Sequence, residues 1–514
     1  MMAAVTMDKV LRALGAGIVL AALSAGAALA APGNAEKGEK VYQFRCLACH
    51  GDEGDGLGPA AERLNPPPRD FTLGIYKIKT SAFDEDAPND DDIFRMIKDG
   101  MPGTAMPGWS DVLSEQDMWD LVAYLKVFAE IEEAPEGQID YGKQIESSAD
   151  SIARGREIFL DGERCSECHG REGRGDGIKK LKDDNGARTW PRNLTKAWTY
   201  RADNSAKEIF RRVTVGIPGT QMPAFADPKS KKKLSIEERW HVANYVASLA
   251  KTVEVVNPSK TVIVAAKLEG ALPAKVDDPK WAEAAPVTFM LVPQIIAEDR
   301  FFTPAHDSIT ARAFYNDEAI AMLLEWDDRT KSLPGDDKAA QIADEELSSD
   351  MVAVQLPVTI PISQEKPYFL MGDKSHPVNF WRWSSGGKEA SQGVELMNAT
   401  GPYEFAERDA AKTGLTASGS YKDGTWRVVM TRPLRTDDAE GDLQFEEGRF
   451  IPVAFANWDG SNSESETSHT LTTWYWLLLE PPTGTRPLIT ALIVVLLLAA
   501  AEIWWARSAR GSDA

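Results

Sequence analysis

Two textures of hydrophobic patterning divide the chain. In its first half, apolar residues recur at helical spacing in GEKVYQF (38–44) and SEQDMWDLVAYLKVF (114–128), then again in GREIFL (155–160) and SIEERWHVANYVASL (235–249). Apolar positions three and four apart predict short amphipathic helices that bury one stripe. The second pair repeats the first in order, so 32–134 and 148–255 read as two copies of one all-α domain. From 256 to 482 the texture changes to short β-rich runs, TVIVAAKL, VTFMLVPQII, MVAVQLPVTI, TWRVVMTRPL and IPVAFANW, broken by Pro, Gly and Asp. Regular short strands with turn signals predict an all-β domain, an antiparallel sandwich or barrel.

The chain's ends carry two further patterns. Residues 7–31 place Lys9 and Arg12 before an apolar stretch that closes on Ala28-Leu29-Ala30, which reads as a secretory signal peptide over 1–31. The run PLITALIVVLLLAAAEIWWA (487–506) is long enough to predict one transmembrane helix. Trp504 and Trp505 would form its interfacial belt, and Arg507 and Arg510 would lie on a short cytoplasmic tail. The expectation is therefore a multidomain protein: two all-α domains, an all-β sandwich and one C-terminal transmembrane helix. These would sit on the periplasmic face of the cytoplasmic membrane.

Only four cysteines occur, and all lie in two related stretches, FRCLACHGDEGDGLG (44–58) and ERCSECHGREGRGDG (163–177). A Cys-x-x-Cys pair alone suits a zinc half-site or a redox dithiol. The His directly after each pair changes that reading. Cys46 and Cys49, and likewise Cys165 and Cys168, can bond a haem's vinyl groups while His50 or His169 ligates the iron. A second axial ligand is then needed. Downstream lie GMPGTAMPGW (100–109) and GIPGTQMPAF (216–225). Stacked on one another, they pair Met101 with Ile217, which cannot bind iron, and Met106 with Met222. Met106 and Met222 are thus the expected sixth ligands, and His/Met ligation favours a raised potential suited to electron carriage. His241 falls opposite Asp120 in the repeat and reads as a solvent-facing residue.

The repeated motifs resemble class I monohaem cytochrome c domains in tandem. In the β-rich part, the strings WDDRT (326–330), DMVAVQLP (350–357), MGDKSHPVNFWRW (371–383), GTWRVVMTRPL (424–434) and VAFANWDGSN (453–462) followed by TTWYWLLLE (472–480) resemble another family. They are similar to the haem b-binding gamma subunits of periplasmic molybdenum oxidoreductases acting on ethylbenzene, dimethylsulfide, chlorate or selenate. That resemblance implies one haem b held between a Met and a Lys, and electron relay from a molybdopterin partner. Residues 459–480 contain no Lys. The position that matches it is His469, and the opposing ligand is expected at Met290, with Met371 and Met322 as further candidates. His306 and His376, each beside Pro, read as turn or surface residues.

The formal charge of −21, from 78 acidic against 57 basic residues, argues against nucleic acid as a partner and suits either solubility or steering of a basic redox protein. No catalytic triad, paired-carboxylate spacing, phosphate loop or molybdopterin signature stands out. The expected function is electron relay by two haem c and one haem b. Its partners would be a periplasmic oxidoreductase with molybdopterin and iron–sulfur subunits, or a quinol-linked complex, and a carrier such as a soluble cytochrome. Two alternatives remain: a haem enzyme acting on a small molecule, and a dihaem cytochrome whose β domain is a haem-free docking or sensor module.

Overall fold

The computed structural model describes residues 33–511 apart from 65, 103, 185, 187, 251–258, 299, 334, 345, 363–364, 387–392, 403 and 482–485; the side chains of 163, 486–489 and 504–511 are also not described. The expected signal peptide lies outside these residues. The chain divides into two compact units, Met1–Val253 and Glu254–Ala514.

The first unit holds both repeats. The first repeat comprises α1 (Ala35–Arg45), the one-turn α2 (Leu47–His50), α3 (Asp90–Asp99) and α4 (Glu115–Phe128). The second comprises α5 (Ala149–Leu160), α6 (Ser166–His169), α7 (Ala206–Val215) and α8 (Ile236–Leu249), with a small hairpin, β1 (Leu181–Lys182) and β2 (Arg188–Thr189), that the all-α expectation lacked. Local chemistry sets the helix starts. Ser114 and Ser235 cap α4 and α8 in matching capping boxes with Asp117 and Glu238 three residues on.

In each repeat the first helix crosses the last at backbone contact. A Cβ on Gly38 would stand 2.0 Å from the Asp120 carbonyl oxygen, and one on Gly155 would stand 2.0 Å from that of His241. The same crossing corrects the solvent-facing reading of Asp120 and His241. Asp120 is 2 % exposed and accepts from the Asn34 amide at 2.7 Å, while His241 Nδ1 pairs with Ser151 Oγ at 2.9 Å. Each position ties the last helix to the start of the first.

The two repeats are also joined to each other. Glu208 on α7 receives Arg95 of α3 at 3.0 Å and Arg211 at 2.9 Å, and Arg211, fully buried, also donates to the Lys79 carbonyl. Burial would raise the Glu208 pKa, but the two guanidiniums hold it below the usual range. The connecting segment then runs along the second repeat, where Trp240 donates to the Tyr141 carbonyl and Asn244 to that of Ile145.

The second unit is a large β-sheet structure. Its strands are β3 (Val262–Lys267), β4 (Val287–Met290), β5 (Val292–Pro293), β6 (Ser308–Tyr315), β7 (Ala319–Asp327), β8 (Met351–Pro357) and β9 (Val378–Ser384). They continue through β10 (Val394–Ala399), β11 (Phe405–Arg408), β12 (Thr416–Lys422), β13 (Thr425–Pro433), β14 (Phe450–Trp458), β15 (Thr470–Leu471) and β16 (Tyr475–Leu479), with a short helix α9 (Asp337–Ile342). The main path runs β11-β10-β9-β8-β14-β16-β3-β6-β7-β13-β12. The two halves of this path pack face to face, so that Gly419 on β12 lies against the Trp383 ring on β9. One apolar core fills the space between, from Leu396 and Trp381 on one side to Val428 and Leu324 on the other. The sheet is mixed rather than purely antiparallel: β16 pairs with β3, and β3 with β6, in parallel. Parallel neighbours require the long crossovers that the β-run count alone does not reveal.

The C-terminal apolar run forms a helix, α10 (Arg486–Gly511), yet among the described residues no helix is long and apolar enough to cross a membrane. This overturns the expected transmembrane span at 487–506, the single anchor and the cytoplasmic tail with their placement at the membrane, and with them that part of the fold class.

The glycine crossings generate a prediction with an inverted sign. In an ordinary helix interior, Gly→Ala stabilises by roughly 0.5–1 kcal/mol. Here the added methyl meets a backbone carbonyl that cannot rotate away, so Gly38→Ala and Gly155→Ala should each destabilise the first unit by about 1–3 kcal/mol. Denaturant unfolding of each variant measures this, and a gain in stability would refute the close crossing.

Candidate functional site

Each Cys-x-x-Cys-His motif is built as a corner. The Cys46 amide closes α1 on the Tyr42 carbonyl at 2.8 Å, and Cys46 then starts the single turn that carries Cys49 and His50. Cys165 does the same for Cys168 and His169. Burial pushes the Cys46 and Cys165 thiols up to about 12, the opposite of the depressed thiol a redox dithiol needs. The imidazoles are fixed alike. His50 Nδ1 meets the Arg69 carbonyl at 3.1 Å, and His169 Nδ1 meets that of Arg192 at 3.0 Å. Those bonds place the proton on Nδ1 and leave Nε2 as the free electron pair. Burial lowers both pKa values, keeping the rings neutral.

The two methionine loops correspond bond for bond. Met101 N donates to the Met106 carbonyl at 3.0 Å, Thr104 folds back on the Met101 carbonyl, and Met106 N donates to Thr104 Oγ1 at 3.2 Å. In the second repeat Ile217, Thr220 and Met222 make the same set at 3.1, 2.8 and 3.2 Å. Met106 and Met222 therefore occupy equivalent half-buried positions, and Met222 packs on the core that also receives Cys165.

Buried donors are left over around both corners. Tyr76 Oη and Trp109 Nε1, which share a cluster with Cys46, have no hydrogen-bond partner among the described residues. Nor do Trp198 Nε1 and Arg201 Nε, which flank the core residue Tyr200. Orphaned donors beside an apolar cluster, two thiols and a free imidazole nitrogen fit a haem with acidic side groups.

In the β unit, a small cavity is lined by Gln355, Phe369, Met371, Phe380, Phe455 and His469, among others. His469 is 6 % exposed, stacks on Trp458 with ring centres 4.7 Å apart, and binds the Glu466 carbonyl through Nδ1 at 3.1 Å. Burial pushes its pKa down to about 4, so the ring is neutral. Gln294 holds that segment by its main chain: Gln294 N donates to the His469 carbonyl at 2.9 Å and Gln294 Nε2 to that of Thr467 at 3.1 Å. Across the cavity, Gln355 takes the Met371 amide at 3.2 Å and donates to the Phe369 carbonyl at 3.0 Å. Met371 itself sits at φ 60, a left-handed backbone that a non-glycine residue adopts at a cost.

The structure thus brings His469 together with Met371. Met290, at the end of β4, is 37 % exposed and does not line this cavity, while Met322 is fully buried in the apolar core. The pocket thus holds a soft thioether and a neutral imidazole, each of a type that ligates haem iron, enclosed by three phenyl rings. His376 lies in a turn closed by Asp373, as expected, but His306 is 4 % exposed and not at the surface. Its carboxylate partners come from strand ends far away in sequence, which is why its flanking Pro was misleading.

Comparison with known proteins follows the same division. Residues 33–125 match the family of the cytochrome c oxidase, cbb3-type, subunit III; 152–250 match the cytochrome c family; 278–397 and 395–470 match the ethylbenzene dehydrogenase family. The ORF7 product of Haloferax mediterranei, named for a respiratory nitrate reductase haem subunit, is 28 % identical over 33 % of this chain. The chlorate reductase subunit gamma of Ideonella dechloratans is 29 % identical over 34 % of it. The chain spans 55 % and 66 % of the lengths of these two relatives. Cytochrome c55X of Paracoccus denitrificans is 32 % identical over 21 % of this chain and 89 % of its own length. The chain belongs to the cytochromes c, with two cytochrome c domains ahead of a domain of the ethylbenzene dehydrogenase gamma type.

Proposed function

We propose that this protein is an electron-relay subunit carrying two covalent haem c groups and one non-covalent haem b. The observation that carries the reading is the duplication: each repeat has a Cys-x-x-Cys-His turn with its imidazole clamped at Nδ1 and an identically bonded Met loop. Haem iron supplies reversible one-electron exchange when bound. The chain's own residues bind, orient and enclose it. Cys46, Cys49, Cys165 and Cys168 would tether it, His50 and His169 would offer Nε2, and Met106 and Met222 would supply the thioether ligands. In the β unit His469 and Met371 are the facing pair, and Met371 replaces the Met290 expected from the sequence.

With Met106 and Met222 as the further ligands, a bound haem would have no open position for substrate, which favours carriage over small-molecule catalysis. The relatives named for nitrate and chlorate reductase subunits support an oxidoreductase as partner, with molybdopterin and iron–sulfur subunits delivering or accepting the electrons. The acidic surface charge suits a basic carrier on the other side.

Two measurements test this. Met106→Ala or Met222→Ala should abolish the methionine-to-ferric-iron absorption band of one haem and lower its potential, while Met101→Ala leaves both haems intact. Loss of the band in Met101→Ala would reverse the assignment. Acid–acetone extraction of the loaded protein should release one haem and retain two. His469→Ala and Met371→Ala should each disturb only the extractable haem, with Met290→Ala silent. An extract without haem would favour the docking-module alternative.

A further inference from the structure

Four strand ends of the β unit converge on a group of buried charges that the haem sites do not use. His306 precedes β6, Asp328 follows β7, Asp350 precedes β8, and Asp459 and Glu464 follow β14. All five residues are at most 5 % exposed. Nε2 of His306 lies 3.2 Å from Asp328 Oδ2 and 3.7 Å from Asp459 Oδ2. Both His306 Nε2 and Asp459 Oδ2 are buried with no hydrogen-bond partner of acceptable geometry among the described residues.

The remaining polar atoms are committed. Asp459 Oδ1 caps the turn through the Ser461 and Asn462 amides, and Asp328 Oδ1 takes the Thr330 amide. Asp350 takes the Gly460 amide and Trp426 Nε1. Glu464 takes the Asp459 amide and Asn462 Nδ2. His306 Nδ1 is engaged by Asn457 Oδ1, which leaves Nε2 aimed at the two carboxylates. Trp326 Nε1 also approaches Asp328 Oδ2 at 3.3 Å.

The charges do not balance. Four carboxylates face one imidazole and the Arg329 guanidinium, whose nearest nitrogen is 3.9 Å from Asp459 Oδ2. Uncompensated buried charge costs several kcal/mol per ion, so a strongly acidic interior needs protons or a cation.

We propose that His306 Nε2, Asp328 Oδ2 and Asp459 Oδ2 bind one divalent transition-metal cation of the zinc or manganese class. The three donor atoms lie within 4.8 Å of one another. Around an ion with bonds of about 2.1 Å, tetrahedral donors are separated by roughly 3.4 Å, which the observed 3.2 and 3.7 Å bracket. A nitrogen donor selects against calcium and magnesium, which prefer all-oxygen cages. Asp350 and Glu464 brace the ligand loops from behind and add negative potential. The site fastens the ends of β6, β7 and β14 together. It also lies on the same strand end as the haem pocket, since Asn457 and Asp459 flank Trp458, the ring on which His469 stacks.

The test uses the full haem-loaded chain. Elemental analysis, with haem iron counted separately, should find one non-haem zinc or manganese per chain. Dipicolinate should remove it and lower the melting temperature, and ZnCl₂ or MnCl₂, but not CaCl₂, should restore it in a concentration-dependent way. Asp459→Asn and His306→Gln should fail to retain the ion while keeping covalent haem. If neither variant folds, the chelation and refilling of the unaltered protein decide alone. A protein isolated without the metal whose melting is unmoved by either salt would overturn the proposal in favour of a proton-sharing network, and recovery with CaCl₂ alone would overturn the nitrogen ligand.

Discussion

An imidazole that is to bind a metal through Nε2 must have its other nitrogen held, or both tautomer and ring direction are left to chance. Here a backbone carbonyl does the holding in each repeat, from Arg69 for His50 and from Arg192 for His169. Much of the helical unit serves that bond. The corner after the first helix aims the ring, the descending loop returns beneath it to bring up the carbonyl, and the crossing of first and last helices fixes the corner. A carbonyl has no rotamers, so the bond adds direction without side-chain entropy cost.

The β unit reaches the same end by different means. No covalent tether holds its cavity, and two glutamines do the work that the Cys-x-x-Cys turn does elsewhere. Gln294 fixes the His469 segment by its main chain, and Gln355 pins the opposite wall at Met371. The stacked Trp458 ring and full burial then set His469 neutral without any neighbouring charge.

What was legible in the sequence follows from how far apart the partners lie. Cys46, Cys49 and His50 are adjacent, and their spacing encodes chemistry that needs no fold to be recognised. Duplication made Met106 distinguishable from Met101, because Ile217 cannot ligate iron. Asp120 and His241 were misread because their partners, Asn34 and Ser151, are 86 and 90 residues away. Composition could not separate Met371 from Met290, since only the fold shows that Met371 lines the His469 pocket and Met290 does not. His306 looked like a loop residue for the same reason: its carboxylates arrive from other strands. At the C-terminus, hydropathy over 487–506 predicted a membrane-spanning element, which no described helix satisfies.

The Arg95–Glu208–Arg211 bridge has a kinetic consequence. Electron tunnelling falls steeply with separation, and linked carriers on a flexible tether must wait for their domains to collide. Two repeats fastened through buried charges and a shared connecting segment have no such search to perform. For the relay proposed above, exchange between the two centres would need no diffusional search.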